Sequence, residues 1–149
     1  MSKEQLIQDF VDAYEKLIGT AIDAAQRGMT RQGDTWGPRE IVDHLAGWEV
    51  MATVRIPHIV AGMPPLEETN KTRQAVMNDA INATIVTMVG DQPLDTVCGI
   101  LRQAYRRDVE ILRKLDDTVF HPGEYVYERT KAVIEHCQEH MEALILSHP

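Results

Sequence analysis

The chain is poor in serine and cysteine, and each shortage argues against one kind of site or structure. Its two serines, Ser2 and Ser147, stand near the two ends of the 149 residues. Chain ends usually fray, so a serine nucleophile held in a rigid site is close to excluded. The two cysteines, Cys98 and Cys137, are too few for a disulfide framework. One bridge between them is the alternative, but lone cysteines in helix-forming sequence usually pack as small hydrophobic residues. We therefore expect a reducing, cytoplasmic environment.

Excess basic charge and long apolar runs are lacking too. The chain has 15 Lys and Arg against 23 Asp and Glu, which gives a net charge of −8. This balance argues against nucleic acid or an anionic membrane as the main partner, because both reward clustered Lys and Arg. No segment approaches the ~20 apolar residues of a membrane span, and we expect the first residues to begin a helix, not a signal peptide. The length predicts one globular domain over residues 1–149.

What the sequence does contain is helical periodicity. Apolar residues recur every three or four positions through most of the chain, which is typical of amphipathic helices. The pattern predicts a first helix over roughly residues 3–26 and a second that starts at Pro38, where the missing N–H costs nothing. Pro57 is expected to kink the second helix. Further helices are predicted over about residues 70–89, from Leu94 onward and from Tyr125 onward. Four long helices and one shorter helix indicate an all-α bundle.

Some segments give a weaker signal. The helix predicted over residues 70–89 has a modest apolar face, formed by Met77, Ile81, Ile85 and Met88. Residues 119–126 are the one segment that could be extended. The helix after Leu94 carries a stripe of arginines interleaved with Asp108 and Glu110, which we interpret as a solvated face.

Three histidines form the pattern that points to chemistry. His136 and His140 are four residues apart in the last helix, so they project within about 40° of each other and about 6 Å apart along the axis. His44 lies on the apolar face of the second helix, in phase with Leu45 and Trp48. A residue of the second helix and a pair on the last helix can meet across a bundle core. Three neutral imidazoles without an obvious fourth ligand are typical of an open, catalytic type of metal site.

The alternative interpretation is that these residues are surface and core histidines that bind no metal. Six histidines placed at random give a pair at this spacing about one time in five, so the pair alone is a weak signal. His44 favours a metal site, because a buried imidazole without a partner is costly. The Glu-x-x-His pairs of a dimetal centre and the Cys-x-x-Cys of redox sites are both missing from the sequence.

Two stretches resemble a known family. Residues 36–49, Trp-Gly-Pro-Arg-Glu-Ile-Val-Asp-His-Leu-Ala-Gly-Trp-Glu, are similar to the second-helix signature of the DinB/YfiT-like metalloenzyme superfamily. Residues 134–141, Ile-Glu-His-Cys-Gln-Glu-His-Met, resemble its last-helix H-x-x-x-H. The similarity covers nearly the whole chain in helix order and is specific at these two stretches. Asn78 or Asn82, followed by residues 91–94 and a long helix, resembles the middle of the DfsB/ClbS-like branch.

The resemblance implies a fold and a cofactor. The fold is an up-down-down-up four-helix bundle with a shorter extra helix before the third long helix, and it is often dimeric, so a homodimer is expected. The cofactor is a divalent metal, most commonly zinc or nickel, held by the residues that match the family triad, His44, His136 and His140. Relatives include thiol-dependent transferases and isomerases and a hydrolase, so a low-molecular-weight thiol is a possible second cofactor.

Two functions of different class stay open from the sequence. The first is a metal-dependent enzyme, of hydrolase or thiol S-transferase type, that acts on a small electrophilic molecule. Trp48 and Tyr14 would then contact the substrate, and Glu49 or Glu139 would orient a ligand from behind. No catalytic side chain is predicted beyond a water molecule held by the metal. The second is a non-catalytic metal-binding or stress-response bundle that keeps the scaffold without turnover.

Overall fold

A computed structural model describes residues 1–64 and 70–146, and within these ranges the protein is all-α. Five α-helices are present, with no β-strand in the described part. The helices are α1 (Lys3–Gln26), α2 (Pro38–Val60), α3 (Lys71–Val89), α4 (Leu94–Lys114) and α5 (Tyr125–Leu146). The all-α class is therefore confirmed. Ser147, one of the two serines, lies outside the described residues.

Local chemistry explains where the helices begin. Ser2 caps α1, since its hydroxyl accepts a hydrogen bond from the backbone N–H of Gln5 at 3.1 Å. Pro38 is the first residue of α2, as predicted, and the Glu40 carboxylate accepts a hydrogen bond from the Gly37 N–H at 3.1 Å. Pro57 does not end α2, which continues to Val60. None of the described helices has the length and apolarity needed to cross a bilayer.

The segment from 119 to 126, which was a candidate for extended structure, forms no β-strand. A short 3-10 helix occupies Asp117–Phe120 and α5 begins at Tyr125. The Asp116 side chain caps the 3-10 turn by accepting a hydrogen bond from the Thr118 N–H at 2.9 Å. Phe120 is buried in the core, which ties the turn down. A local cap and one buried ring therefore determine the structure of this segment.

The core lies between four of the helices. α2 packs mainly against α4, and α1 packs mainly against α5. Their inward faces join in one apolar cluster, and full burial of each large side chain in it contributes about 1.5–3 kcal/mol. The largest members, all fully buried, include Phe10, Leu17, Ile56, Leu101, Leu112 and Leu144. Among the described residues, six polar or charged ones are buried as well: Glu40, Asp43, His44, Glu49, Asp108 and Thr130.

α3 differs from the other helices because it packs mainly against α2 alone. Val86 is its one buried residue and is still 8% exposed. The apolar face expected for this helix is only partly covered, since Met77 and Met88 are 39% and 81% exposed. A helix with one neighbour has no second surface against which to bury such a face. α3 is thus a flank of the domain, and it leaves a cavity between itself and α5.

We expect Gly47→Ala to destabilise the protein, because the Ile85 side chain of α3 packs directly against α2 at Gly47. A Cβ atom at this position would lie 2.5–2.8 Å from three side-chain carbons of Ile85. Overpacking of this kind costs about 1–3 kcal/mol. The matched control is Gly99→Ala in α4, where a Cβ meets nothing within 4 Å and should stabilise the helix by about 0.5–1 kcal/mol. Urea unfolding of both variants measures the difference, and equal effects would contradict the close approach.

Candidate metal centre

The structure brings the three predicted histidines together. His44 of α2 is 2% exposed, and its ring centroid lies 5.5 Å from that of His136 and 4.9 Å from that of His140 on α5. The two α5 rings are 4.4 Å apart, and their Nε2 atoms are separated by 2.9 Å. One nitrogen of each residue lies within 4.8 Å of those of the other two. The predicted cluster therefore exists in the fold.

The backbone fixes the orientation of His44. Its Nδ1 lies 2.8 Å from the carbonyl oxygen of Ile41, one turn earlier in α2. A carbonyl only accepts, so Nδ1 carries the proton and donates. The lone pair of His44 is then on Nε2. This is the arrangement in which metal-binding histidines are held, with one ring nitrogen donating to the protein and the other available as a ligand.

Burial keeps the three imidazoles neutral. It lowers the pKa of His44 to about 3, helped by the nearby His140 and His136 and opposed by the bond to Ile41. Burial and then His136 lower the pKa of His140 to about 4. Burial also lowers the pKa of His136, against a smaller opposing effect of Glu139. All three rings consequently present a lone pair at neutral pH, which is the form that binds metals.

These donors fit a small divalent ion. Two imidazole nitrogens bound to one tetrahedral zinc lie about 3.3–3.4 Å apart, and the His136 and His140 Nε2 atoms, hydrogen-bonded at 2.9 Å, are a few tenths of an ångström closer than this. Among the described residues no carboxylate or thiolate joins the three-histidine cluster. Three protein ligands with an open position are typical of catalytic sites, whereas structural sites are closed by four.

The open side of the cluster faces a cavity of about 610 Å³. Aromatic rings form one part of its wall, and a row of amide side chains at four-residue spacing on α3 forms another. The described residues that line it are Trp36, His44, Trp48, Ala52, Arg55, Gln74, Asn78, Asn82, Tyr125, Arg129, Ala132, Val133, His136 and His140. None of these residues is acidic. A volume of this size accommodates a small organic molecule.

The two residues predicted to contact substrate have different positions. Trp48 lines the cavity, and its indole N–H donates to Oδ1 of Asn82 at 2.6 Å. Tyr14 is not among the lining residues. It is fully buried, its hydroxyl donates to Glu49 at 2.5 Å, and its ring stacks on Tyr105 with centroids 5.5 Å apart. The structure thus places Tyr14 in the core, away from the cavity surface.

Neither glutamate expected behind the ligands contacts a histidine directly. Glu49 is fully buried and binds Arg129, with Oε2 2.7 Å from Nη2. Glu139 borders a separate groove between α1 and α5, together with Asp9 and Lys16. Its charge still acts on His136, whose pKa it raises in opposition to burial.

Arg129 and Asp108 are the site residues that sequence reasoning missed. The Arg129 guanidinium lines the cavity and lies between two carboxyl groups, 2.7 Å from Glu49 Oε2 and 2.6 Å from Asp108 Oδ2. Asp108, interpreted as part of a solvated face, is 0% exposed, so that interpretation is wrong for it. Two signals were available. Asp108 is seven residues after the buried Leu101, so the two lie on the same face of α4. Arg129 is seven residues before His136, so these two lie on the same face of α5.

Comparisons with models of known protein families, with curated proteins and with solved structures found no match. The support for a function of this cluster therefore comes from its geometry and from the two sequence stretches that contain the three histidines, residues 36–49 and 134–141.

Arg129→Met is expected to destabilise the protein strongly, because it leaves buried carboxyl groups without their cation. Breaking a buried ion pair from one side costs about 3–5 kcal/mol. Arg102→Met is the control, since Arg102 binds Glu15 at 3.0 Å with the two side chains 37% and 38% exposed. A surface pair of this kind contributes less than about 1 kcal/mol. Similar losses in urea unfolding for the two variants would show that Arg129 is not buried against carboxylates.

Nickel binding should quench the tryptophan fluorescence, because an open-shell ion quenches indole emission at short range. The Trp36 ring centroid is 4.9 Å from that of His44, and the chain has only two tryptophans. Trp36→Phe is expected to reduce the quenching, with the remainder due to Trp48, which lines the same cavity, and closed-shell zinc should produce little. Emission titrations of both proteins measure this. Quenching that persists unchanged in His140→Ala would place the bound nickel elsewhere.

Proposed function

We propose that this protein is a divalent-metal-dependent enzyme of the DinB/YfiT-like type, acting on a small electrophilic molecule as a hydrolase or thiol S-transferase. One observation carries the proposal. One buried and two half-buried neutral imidazoles, from two helices, bring one nitrogen each to within 4.8 Å of one another on the wall of a cavity. Such a cluster has a cost in folding, because buried polar groups lose their hydration, and binding an ion would compensate it.

The proposal includes a four-helix bundle of α1, α2, α4 and α5 in up-down-down-up order, with α3 as the shorter extra helix. The mainly pairwise packing of α1 on α5 and of α2 on α4 supports this arrangement. A homodimer, a cytoplasmic location and a low-molecular-weight thiol cofactor follow from the same family resemblance and belong to the proposal.

Zinc and nickel are the proposed ions, because imidazole ligands suit both. When bound, a divalent ion lowers the pKa of a coordinated water or thiol and so supplies a nucleophile near neutral pH. His44, His136 and His140 would hold it, with the Ile41 carbonyl fixing the first of these rings. No carboxylate lines the described cavity wall, so the protein itself contributes no carboxylate base there.

The other lining residues indicate how a ligand would be held. Trp36, Trp48 and Tyr125 offer aromatic surface for an apolar part. The amides of Gln74, Asn78 and Asn82 offer both donors and acceptors along α3. The described residues of the wall include no acidic side chain, which disfavours cationic ligands, and a bound divalent ion would add positive charge. We therefore propose a neutral or anionic molecule with an aromatic or other apolar part.

Elemental analysis of the purified protein tests the metal site. We expect about one divalent ion per chain, lost or greatly depleted in His44→Ala and His140→Ala, because each variant removes one of three ligands. His121→Ala is the matched control, since His121 is exposed and outside the cluster. If the wild type holds no stoichiometric metal, and zinc titration does not distinguish it from His140→Ala, the proposal fails.

Turnover is tested next, on metal-loaded protein with a panel of small electrophiles, each with and without low-molecular-weight thiols. Product that requires a thiol identifies a transferase, and product that forms in water alone identifies a hydrolase. A protein that binds one metal and turns over nothing in the panel would instead be a non-catalytic metal-binding bundle.

A further inference from the structure

A cluster of four polar side chains lies in the core next to the metal centre. Tyr14 of α1, Glu49 of α2, Asp108 of α4 and Arg129 of α5 meet there, so each of four helices contributes one residue. Glu49 and Asp108 are both 0% exposed. Counted as fully ionised, the cluster has two negative charges and one positive charge, which leaves an uncompensated charge away from water. Burying a net charge is expensive.

The four oxygens of the two carboxyl groups differ in the hydrogen bonds that they accept. Oε2 of Glu49 accepts from Tyr14 and Arg129, and Oδ2 of Asp108 accepts from Arg129. The remaining oxygens, Oε1 of Glu49 and Oδ1 of Asp108, are buried and have no donor among the described residues. Both carboxyl groups bind the same guanidinium, with Glu49 Oε2 2.7 Å from Nη2 and Asp108 Oδ2 2.6 Å from Nη1 of Arg129, so the two groups are neighbours. One proton held by this pair would neutralise the cluster.

We propose that Glu49 and Asp108 share one proton in the folded protein, carried by Asp108 and donated to Glu49. The assignment to Asp108 follows from the donors around each group. Glu49 receives two hydrogen bonds, one from a hydroxyl and one from a guanidinium, so its ionised form is the better stabilised. Asp108 receives one, from the guanidinium alone.

The electrostatics agree with this assignment. Burial and then the hydrogen bond with Glu49 raise the pKa of Asp108 to about 8, against the opposing effect of Arg129. Burial alone would raise the pKa of Glu49 too, but Arg129 and the hydrogen bonds from Asp108 and Tyr14 bring it below its ordinary value. The ionisable neighbours from the other helices are Tyr14 and, on α5, Arg129 and Cys137. Burial raises the pKa of Tyr14 and Cys137, so both are neutral at pH 7.

The shared proton has a consequence for the cavity, whose wall includes Arg129. With the proton in place, the charge of Arg129 is balanced by Glu49 alone. Loss of the proton at alkaline pH places a second carboxylate directly behind this wall. The pair is thus a pH-sensitive element beside the metal centre, and it does not depend on whether a metal binds.

Side-chain carboxyl NMR tests the proton directly. In protein labelled with ¹³C at aspartate and glutamate, the Asp108 carboxyl, assigned through its backbone, should remain protonated at pH 6, where ordinary aspartates with pKa about 3.9 are ionised. Glu49→Gln removes the charge that retains the proton, so Asp108 should then titrate at lower pH. An Asp108 carboxyl that is ionised at pH 6 in the wild type overturns the proposal. An unchanged titration in Glu49→Gln overturns the sharing.

Folding equilibria give an independent readout. Between the unfolded pKa of aspartate and about 8, the folded protein holds one more proton than the unfolded chain. The folding constant should therefore fall by about tenfold per pH unit as pH rises. Asp108→Asn keeps a donor to Glu49 but cannot titrate, so the wild type should lose about tenfold per unit relative to it between pH 5 and 7. Other titrating groups, such as Asp43 and His44, cancel in this ratio. A ratio that is flat with pH overturns the proposal.

Discussion

The guanidinium of Arg129, held between two buried carboxyl groups, is the interaction on which the rest of the structure depends. It joins α5 to α2 through Glu49 and to α4 through Asp108. The same two helices, α2 and α5, carry the three histidines. A buried ion pair adds little net stability over a well-packed apolar core, but its loss from one side is severe. Its value here is geometric, since charged hydrogen bonds accept only a narrow range of helix positions.

The fold class and most helix bounds could be predicted from the sequence, because burial on one side leaves a periodic trace. α1 matches the predicted residues 3–26, and α2 starts at Pro38. Where a helix packs against only one neighbour, apolar periodicity overestimates burial. In α3 the spacing of Met77 and Met88 predicts a buried face, yet both residues are exposed. The 3-10 turn at Asp117–Phe120 also escaped prediction, because a side-chain cap and not a repeat determines it.

The candidate site was predictable to the same degree. The four-residue spacing of His136 and His140 identified them as candidate metal ligands, and the apolar neighbours of His44 did the same for it. Asp108 did not, because adjacent Arg106 and Arg107 made its surroundings look solvated although its helical phase is that of Leu101 and Leu112. Tyr14 was predicted to contact substrate, but its actual partner, Glu49, is determined by the packing of α1 against α2, whose residues are far apart in sequence. Pairings between helices leave no local pattern for a single sequence to show.

The attachment of α3 has an evolutionary meaning. This helix supplies the amide row of the cavity, yet it has a single buried residue and packs mainly on α2. Substitutions at Gln74, Asn78 or Asn82 would change the surface that a ligand meets while the Arg129 cluster and the histidines stay in place. The amide row of the cavity wall and the three-histidine cluster are therefore encoded in separable parts of the chain. A fold divided in this way can change part of its cavity wall through substitutions in one helix without first losing its stability.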